Sequence, residues 1–176
     1  MEYLIREAKI TDANDILTLH KKYLYQNLPE KEKRLGFVKV EYSIEDIKRI
    51  IKENEIIICY YGNSIIGYYL LGFVTKNKSL DYQYKALQEL TYNGYLLKDL
   101  KVACGAQAIV EKEFRGLGLV DKMLQLLIKN VRSKYDYLMS SITRSNENAS
   151  KVHEKSGYNI IGETDSRVFV CLKINL

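Results

Sequence analysis

The chain has 176 residues, of which 47% are hydrophobic and 28% charged, so it is long enough to bury a core and too apolar to be disordered. Its formal net charge of +5 is spread along the sequence without a basic block or a basic aromatic stripe, which indicates a solvated surface and gives a nucleic-acid-binding function little support. The longest apolar run, residues 65–74, is about half as long as a membrane-spanning helix, so no membrane association is expected.

The cysteines point to a reducing compartment. Cys59, Cys104 and Cys171 are isolated from one another, odd in number and without paired spacing, which disfavours both a disulfide framework and a zinc site. The amino end carries no signal-peptide pattern. We therefore expect a cytoplasmic protein without a bound metal, organised as one domain over residues 1–176 and present as a monomer or homodimer.

The first half of the chain alternates strands and helices. Residues 3–8 are predicted to form a strand, and Thr11-Asp12 to cap a helix whose apolar stripe includes or adjoins His20, which we interpret as structural. Residues 27–42 are loop-like. Ser43 and Asp46 have the spacing of a capping box, which predicts a second helix over 44–52.

A hairpin follows, and the chain ends in strands. Gly62-Asn63 is a strong turn signal between predicted strands 55–61 and 65–74. In the second half, a helix is predicted at 80–90 and a strand at 137–142. A short helix capped by Asn146 or Asn148 follows, and the chain ends in a pair of strands at 160–162 and 168–174. The order predicts a mixed α/β fold.

The most informative stretch lies between a predicted strand, 101–110, and a predicted helix that runs to about Lys134. The sequence Arg115-Gly-Leu-Gly118 joins the two, and its glycines allow a tight turn and a close approach to the backbone. The first amides of a helix have no partner within it and lie at its positive end, so this turn predicts an anion site. A structural turn remains the alternative. The lysine and hydroxyl of a Walker A loop are absent.

Two motifs together resemble the GNAT superfamily of acetyl-CoA-dependent N-acetyltransferases. The first is the turn itself, where Arg115 and Gly118 match the pattern Arg/Gln-x-x-Gly-x-Gly/Ala and Val120 departs from it. The second runs from Asn146 through Ala149 and His153 to Gly157-Tyr158. Two signatures in the right order, with a strand between them, are far more specific than either alone, and the resemblance extends from about residue 101 to 174.

The resemblance implies a GNAT-like fold, in which a mixed, mostly antiparallel central sheet is flanked by helices and splits between strands 101–110 and 137–142. Acetyl-CoA would enter the split as co-substrate. Its pyrophosphate would be held by the amides of Arg115, Gly116, Leu117, Gly118, Leu119 and Val120. Its pantetheine would pair with the edge of Ile109 and Val110 and bond to Asn146, for which a helix cap is the alternative.

The implied reaction is direct attack by a primary amine of a small molecule or protein on the acetyl group. His153 occupies the position of a family tyrosine that protonates the departing thiolate, and its alternative is a surface histidine near a helix C-terminus. Many members carry a glutamate where this chain has Cys104, so the general base is left open among Glu111, Glu89, Asp99 and water. The Cys104 and Val120 departures support an alternative, a non-catalytic acyl-CoA-binding or regulatory module.

Overall fold

The structure is a computed structural model that describes residues 2–72 and 80–175. The α-helices of these residues are α1 (Ala13–Lys22), α2 (Glu30–Lys33), α3 (Ile44–Lys52), α4 (Asp81–Glu89), α5 (Leu119–Val131) and α6 (Glu147–Lys155). Their strands are β1 (Tyr3–Glu7), β2 (Ile56–Tyr61), β3 (Ser64–Leu71), β4 (Thr91–Tyr92), β5 (Tyr95–Leu96), β6 (Val102–Cys104), β7 (Ala106–Val110), β8 (Tyr137–Thr143), β9 (Asn159–Glu163) and β10 (Arg167–Lys173).

Two four-stranded sheets form the centre of this mixed α/β fold. One has the order β1-β2-β3-β7 and is antiparallel, and the other has the order β6-β8-β10-β9, with β6 parallel to β8. The prediction of one strand over 101–110 is wrong because Gly105 breaks it with a left-handed backbone, at a φ of 79°. The segment before Gly105 pairs with β8, and the segment after it leaves β8 and pairs with β3. The split of the sheet begins there.

Helices cover both faces of the first sheet. One face packs on α1 and α3, whose fully buried Ile16 and Ile47 belong to the same core cluster as Tyr68 of β3. The other packs on α5, which buries Met123 and Leu127 on the side that faces the sheet. The 3.6-residue apolar period of α5 therefore packs one face of that helix on the sheet, with α5 in contact with β7.

The predicted local signals are mostly confirmed. Ser43 Oγ accepts from the Asp46 amide at 3.1 Å, and the Asp46 carboxylate accepts from the Ser43 amide at 2.9 Å, which completes the capping box of α3. Gly62 turns the hairpin with a φ of 58°. The loop predicted for 27–42 contains the short α2. Strand β3 ends at Leu71, and residues 73 and 74 of the predicted strand lie outside the described residues.

Asp12 is the N-cap residue of α1, as the Thr11-Asp12 signal predicts, but it does not cap the helix through its side chain. The Asp12 side chain makes no cap hydrogen bond to α1 and accepts instead from the Lys9 amide at 2.6 Å and from Arg6 at 2.8 Å. Burial alone would raise the pKa of Asp12, but the hydrogen bonds from Arg6, Lys9 and Tyr60 lower it to about 2.

His20 is structural, as predicted. It is fully buried, its Nε2 donates to the Val40 carbonyl at 2.9 Å, and its Nδ1 accepts from the Tyr68 hydroxyl at 2.7 Å. The carbonyl can only accept, which fixes this neutral tautomer. His20 thus ties the segment that follows α2 to α1 and β3.

We expect His20 to make the protein less stable in mild acid. Burial lowers the pKa of His20 to about 4, so between pH 6.5 and 4 the unfolded chain binds a proton that the folded chain does not. The free energy of unfolding should fall by roughly 3 kcal/mol as the pH is lowered through that window. Urea titrations at several pH values of wild type and of His20→Gln, whose amide can replace both hydrogen bonds, measure this effect. An equally steep decline in His20→Gln would contradict the assignment.

Candidate active site

One edge of β7 faces the gap between the two sheets. The Glu111 amide donates to the Ile66 carbonyl at 2.8 Å, and the Gly72 amide donates to the Gly105 carbonyl at 3.2 Å. Both bonds lie in the register of the β3–β7 pair. In an antiparallel pair the backbone N–H and C=O groups of alternate residues point to opposite sides of the strand. Those of the odd-numbered residues from 105 to 111 therefore point to β3, and those of the even-numbered residues point away from it.

This alternation corrects the predicted edge. The peptide groups of Ile109 point into the sheet toward β3, although Ile109 still lines the gap. Those of Ala108 and Val110 point into the gap, where β8 belongs to the other sheet. The free edge is therefore built from Ala108 and Val110 and not from Ile109 and Val110. Backbone amides on such an edge can pair with an extended ligand as a further strand would.

Side chains take two of the carbonyls on this edge. Ser140 Oγ donates to the Ala106 carbonyl at 2.7 Å, and Arg115 Nε donates to the Val110 carbonyl at 3.0 Å. Each bond holds one end of β7 in place. Between them, the amides of Ala108 and Val110 point away from β3 and into the gap, without a hydrogen bond to a described residue. Neither Ser140 nor Ala108 is among the predicted site residues, because neither belongs to a motif that indicates a function.

The predicted turn leads from this edge to α5. Gly116 and Gly118 have φ values of 81° and 70°, a left-handed backbone that favours glycine, and a Cβ added to either would meet nothing within 4 Å. The first helical bond of α5 is that of the Lys122 amide to the Gly118 carbonyl. The amides of residues 116–121 have no backbone acceptor among the described residues, and they lie at the positive end of a helix of 13 residues. The geometry suits an anion.

The amide of Arg115, which is predicted to hold the pyrophosphate with those that follow it, donates instead to the Lys112 carbonyl at 3.4 Å. The Arg115 guanidinium donates to the carbonyls of Val110 and Leu35 and lies 5.5 Å from the centre of the Tyr23 ring. The side chain therefore joins the end of β7 to the segment after α2, and its charge stays beside the turn without pointing at it. Val120, the residue that departs from the family pattern, is half-buried and packs against the α5 core.

A cleft of about 560 Å³, which we call the large cleft, joins the turn to the free edge of β7. Its opposite wall is α6, from which Lys151 and Lys155 contribute positive charge. Asp121 also lines it, and its carboxylate accepts from Ser156 Oγ at 2.7 Å. The large cleft thus combines an apolar edge with a polar, positively polarised end.

Asn146 caps α6, as predicted. Its Oδ1 accepts from the Ala149 amide at 3.2 Å, and its Nδ2 donates to the Phe37 carbonyl at 3.1 Å. Only 5% of the residue is exposed. Asn146 therefore fixes the start of α6 against the segment after α2, and its contact with a pantetheine stays a prediction.

His153 projects from α6 to the point where the large cleft meets a second cavity. Its Nδ1 donates to the Ala149 carbonyl at 2.7 Å, so Nε2 carries the lone pair. Nε2 is shielded from solvent and has no hydrogen-bond partner among the described residues, and the ring lies edge-on to Tyr158 at 4.9 Å between centres. Burial lowers the pKa of His153 from its usual 6.5, which keeps the imidazole neutral near pH 7. This geometry favours the site interpretation over the surface histidine.

The second cavity, which we call the small cavity, has a volume of about 90 Å³ and lies on the other side of the split. It shares five residues with the large cleft, namely Phe37, Ala108, Asn146, Ala149 and His153. Two ligands that enter from opposite sides would therefore meet beside Ala108 and His153. Such an arrangement brings two reactants together at one point.

None of the residues considered as general base is placed for that role. Glu111 lines neither cavity and accepts from Lys22 Nζ and from the Tyr23 hydroxyl, each at 2.7 Å. Glu89 and Asp99 are exposed and outside both cavities. Burial raises the pKa of the Cys104 thiol to about 12, so it carries no negative charge near neutral pH. Among the described residues that line both cavities, His153 has a buried Nε2 that carries a lone pair and has no hydrogen-bond partner.

The split sheet, the glycine turn before α5 and the two cavities together form a site in which two ligands could meet, beside a helix end whose geometry suits an anion. The chain belongs to the acetyltransferase (GNAT) family, whose model matches residues 13–158. No curated protein matches the chain in sequence. In the part of the chain that the structure describes, no helix is both long and apolar enough to cross a membrane.

Solved structures share this fold at low sequence identity. The PaiA N-acetyltransferase of Thermoplasma acidophilum, in complex with coenzyme A, has a TM-score of 0.66 and 14% identity, with 98% of this chain and 99% of that chain covered. YncA of Salmonella typhimurium, with its cofactor acetyl-CoA, has a TM-score of 0.61 and 13% identity over 98% and 94% of the two chains. A GNAT family acetyltransferase of Listeria monocytogenes has a TM-score of 0.62 and 16% identity, with 98% of this chain and 95% of that chain covered.

Proposed function

We propose that this GNAT acetyltransferase transfers an acetyl group from acetyl-CoA to a primary amine by direct attack. One observation carries the proposal. A single cleft contains the unpaired amides of the turn at one end and the free edge of β7 along its side, and the unpartnered Nε2 of His153 lies at its junction with a second cavity. Two relatives of the same fold, PaiA and YncA, bind coenzyme A and acetyl-CoA respectively.

The residues of the large cleft fit acetyl-CoA. The open space over Gly116 and Gly118 leaves room for a pyrophosphate against the amides of residues 116–120, and Lys151 and Lys155 add positive charge nearby. The amides of Ala108 and Val110 are placed to pair with the pantetheine amides. Acetyl-CoA supplies the activated acetyl group as a thioester.

The edge of β7 also has a catalytic role in this proposal. As the amine attacks, negative charge develops on the oxygen of the acetyl carbonyl, and a fixed amide directed at that oxygen stabilises it. The Ala108 and Val110 amides are the unpaired donors on the edge, and Ala108 lines both cavities. Because Ser140 and Arg115 hold the two ends of β7, the donors need little reorganisation during the reaction.

His153 moves the proton. The attacking nitrogen loses a proton as its bond to the acetyl carbon forms, and neutral His153 accepts that proton at Nε2. The resulting imidazolium then donates it to the sulfur as the carbon–sulfur bond breaks, so the products are the N-acetyl amine and the free thiol. His153 thus acts first as the base that takes the proton from the amine. It then acts as the acid that protonates the sulfur, which is the role that the family resemblance implies.

Thiol release tests the proposal against the non-catalytic alternative. Purified protein is mixed with acetyl-CoA and a panel of primary amines, and free CoA is measured with a thiol reagent alongside N-acetyl product by mass spectrometry. The proposed function predicts amine-dependent release of one thiol for each acetyl group transferred. A protein that binds acetyl-CoA and releases no thiol with any amine would be the binding or regulatory module.

We expect Cys104→Ala to retain activity. The thiol is buried against Met139 and Leu97 on the β6–β8 side of the split, outside both cavities, and its raised pKa keeps it neutral. Turnover with a fixed amine should stay within about twofold of wild type, while the free energy of unfolding falls by about 1 kcal/mol from the lost packing. A loss of turnover of about a hundredfold in a folded variant would show that the Cys104 thiol takes part in the reaction.

A further inference from the structure

The chemistry of the small cavity specifies its occupant. The inference rests on the proposed function, in which acetyl-CoA fills the large cleft and the acceptor amine approaches from the small cavity to reach Ala108 and His153. The small cavity, at about 90 Å³, is much smaller than the large cleft at about 560 Å³, so the part of the acceptor that enters it is compact.

Two cations line the small cavity, and no described residue of its lining carries a carboxylate. Arg167, at the start of β10, stacks its guanidinium 3.6 Å from the centre of the Tyr82 ring and donates from Nη1 to Ser141 Oγ at 3.0 Å. These contacts hold the charge in a fixed place. Neither Arg167 nor Lys39 forms an ion pair with a described residue.

Lys39 lies on the segment that follows α2, with its Nζ 5.0 Å from the centre of the Tyr25 ring. Burial lowers the pKa of Lys39, and the charge of Arg167 lowers it further. Both side chains line the same cavity, and no described residue of that lining places an anion between them. An anionic group on a ligand would be attracted by both.

Two glutamines give the same cavity unpaired polar atoms. Gln83 is only 4% exposed, its Nε2 donates to the Tyr82 hydroxyl at 3.0 Å, and its Oε1 is buried without a partner. Gln107, on β7, has a buried Nε2 without a partner. Because buried polar atoms are nearly always hydrogen-bonded to protein or water, this acceptor and this donor are available to a ligand that supplies both complements.

We propose that the acceptor is a compact primary amine that also bears an anionic group, with the anion bound by Lys39 and Arg167 and the amine directed at His153. Gln83, which is bonded to the Tyr82 that stacks on Arg167, and Gln107, which adjoins Ala108 on β7, offer the ligand one further acceptor and one further donor. A diamine is rejected, because its second ammonium would face the charges of Lys39 and Arg167. The same cations favour the uncharged form of the attacking amine, which compensates for the lack of a carboxylate base.

Matched acceptors test the charge preference. The probes are glycine, β-alanine and 4-aminobutyrate, the carboxamide of each, diamines of equal length, and 2-aminoethyl phosphate as the phosphate counterpart. We expect at least one anionic amine to exceed its neutral and cationic counterparts in kcat/KM by about tenfold or more. Preference for the phosphate over the carboxylates would identify the anion as a phosphate and the reverse as a carboxylate. Equal or higher values for the carboxamides or diamines would overturn the inference and leave the proposed function intact.

Lys39→Glu should reverse the preference, lowering kcat/KM for the best anionic amine about a hundredfold and raising that for the matching diamine. The control is Lys129→Glu, which makes the same charge change on the exposed side of α5, outside both cavities. Lys129→Glu should keep the wild-type preference. An unchanged preference in folded Lys39→Glu would contradict the assignment.

A readout without turnover separates this inference from the proposed function. If acetyl-CoA binds but no probe releases thiol, the proposed function fails by itself. The inference is then decided by calorimetry in the presence of CoA, with N-acetyl-β-alanine compared with its carboxamide. Tighter binding of the carboxylate in wild type, lost in Lys39→Glu, supports it. Equal or undetectable binding of the two compounds overturns it.

Discussion

Gly118→Trp is expected to lower the affinity for acetyl-CoA by about a hundredfold or more while the protein stays folded. Gly118 precedes α5 in the left-handed conformation, and a Cβ there would enter the open space over the turn. An indole in that space blocks the position proposed for the pyrophosphate and covers the unpaired amides. Calorimetric titration with acetyl-CoA measures the loss, and circular dichroism and thermal unfolding establish that the variant is folded.

Gly62→Trp is the matched control. Gly62 has a φ of 58°, close to the 70° of Gly118, and its added Cβ would also meet nothing within 4 Å. Both substitutions therefore impose a similar backbone strain, of about 1–2 kcal/mol. Gly62 turns the β2–β3 hairpin outside the large cleft, so this variant should bind acetyl-CoA as wild type does. Equal affinities in Gly118→Trp and Gly62→Trp would contradict the site.

His153→Phe is expected to lower kcat by about a hundredfold to a thousandfold and to leave the affinity for acetyl-CoA within about twofold of wild type. Phenylalanine keeps an aromatic ring against Tyr158 and removes both nitrogens. The variant thus separates packing from proton transfer. The hydrogen bond to the Ala149 carbonyl is also lost, but that carbonyl lies within α6.

The pH profile distinguishes the relay from a structural role. His153 must be neutral to accept a proton, and burial lowers its pKa below 6.5. Wild-type turnover should therefore rise with pH along a limb whose midpoint lies below pH 6.5 and then level off. The limb should be absent from the residual activity of His153→Phe. A variant that lost affinity and turnover together, with the limb unchanged, would assign His153 to packing.

The sequence predicts the parts of the site that depend on local chemistry. Gly116 and Gly118 predict a tight turn, which has left-handed φ values at both glycines, and the apolar period after them predicts the helix, so the turn proposed to bind an anion follows from neighbouring residues alone. The Ser43 capping box and the Asn146 cap are likewise contained within four residues of sequence. Such signals act over a single turn of chain and need no tertiary contact.

The features that were missed depend on contacts between distant segments. Arg115 lies beside the anion turn in the sequence, yet the Leu35 carbonyl, 80 residues away, draws its guanidinium elsewhere. The choice between Ile109 and Ala108 depends on which register β3 adopts, and a shift of one residue would reverse it. The cationic lining of the small cavity joins Lys39 and Arg167 from opposite ends of the chain, so no sequence window contains both.

A calorimetric titration of the purified protein with acetyl-CoA and with CoA tests the central claim most directly, because the mechanism and the acceptor site both depend on the occupant of the large cleft. We expect micromolar binding of both ligands, on the order of −8 kcal/mol, since the pyrophosphate and pantetheine contacts are common to them. Binding should be lost in Gly118→Trp and kept in Gly62→Trp. No detectable binding of either ligand by folded wild-type protein would contradict the account.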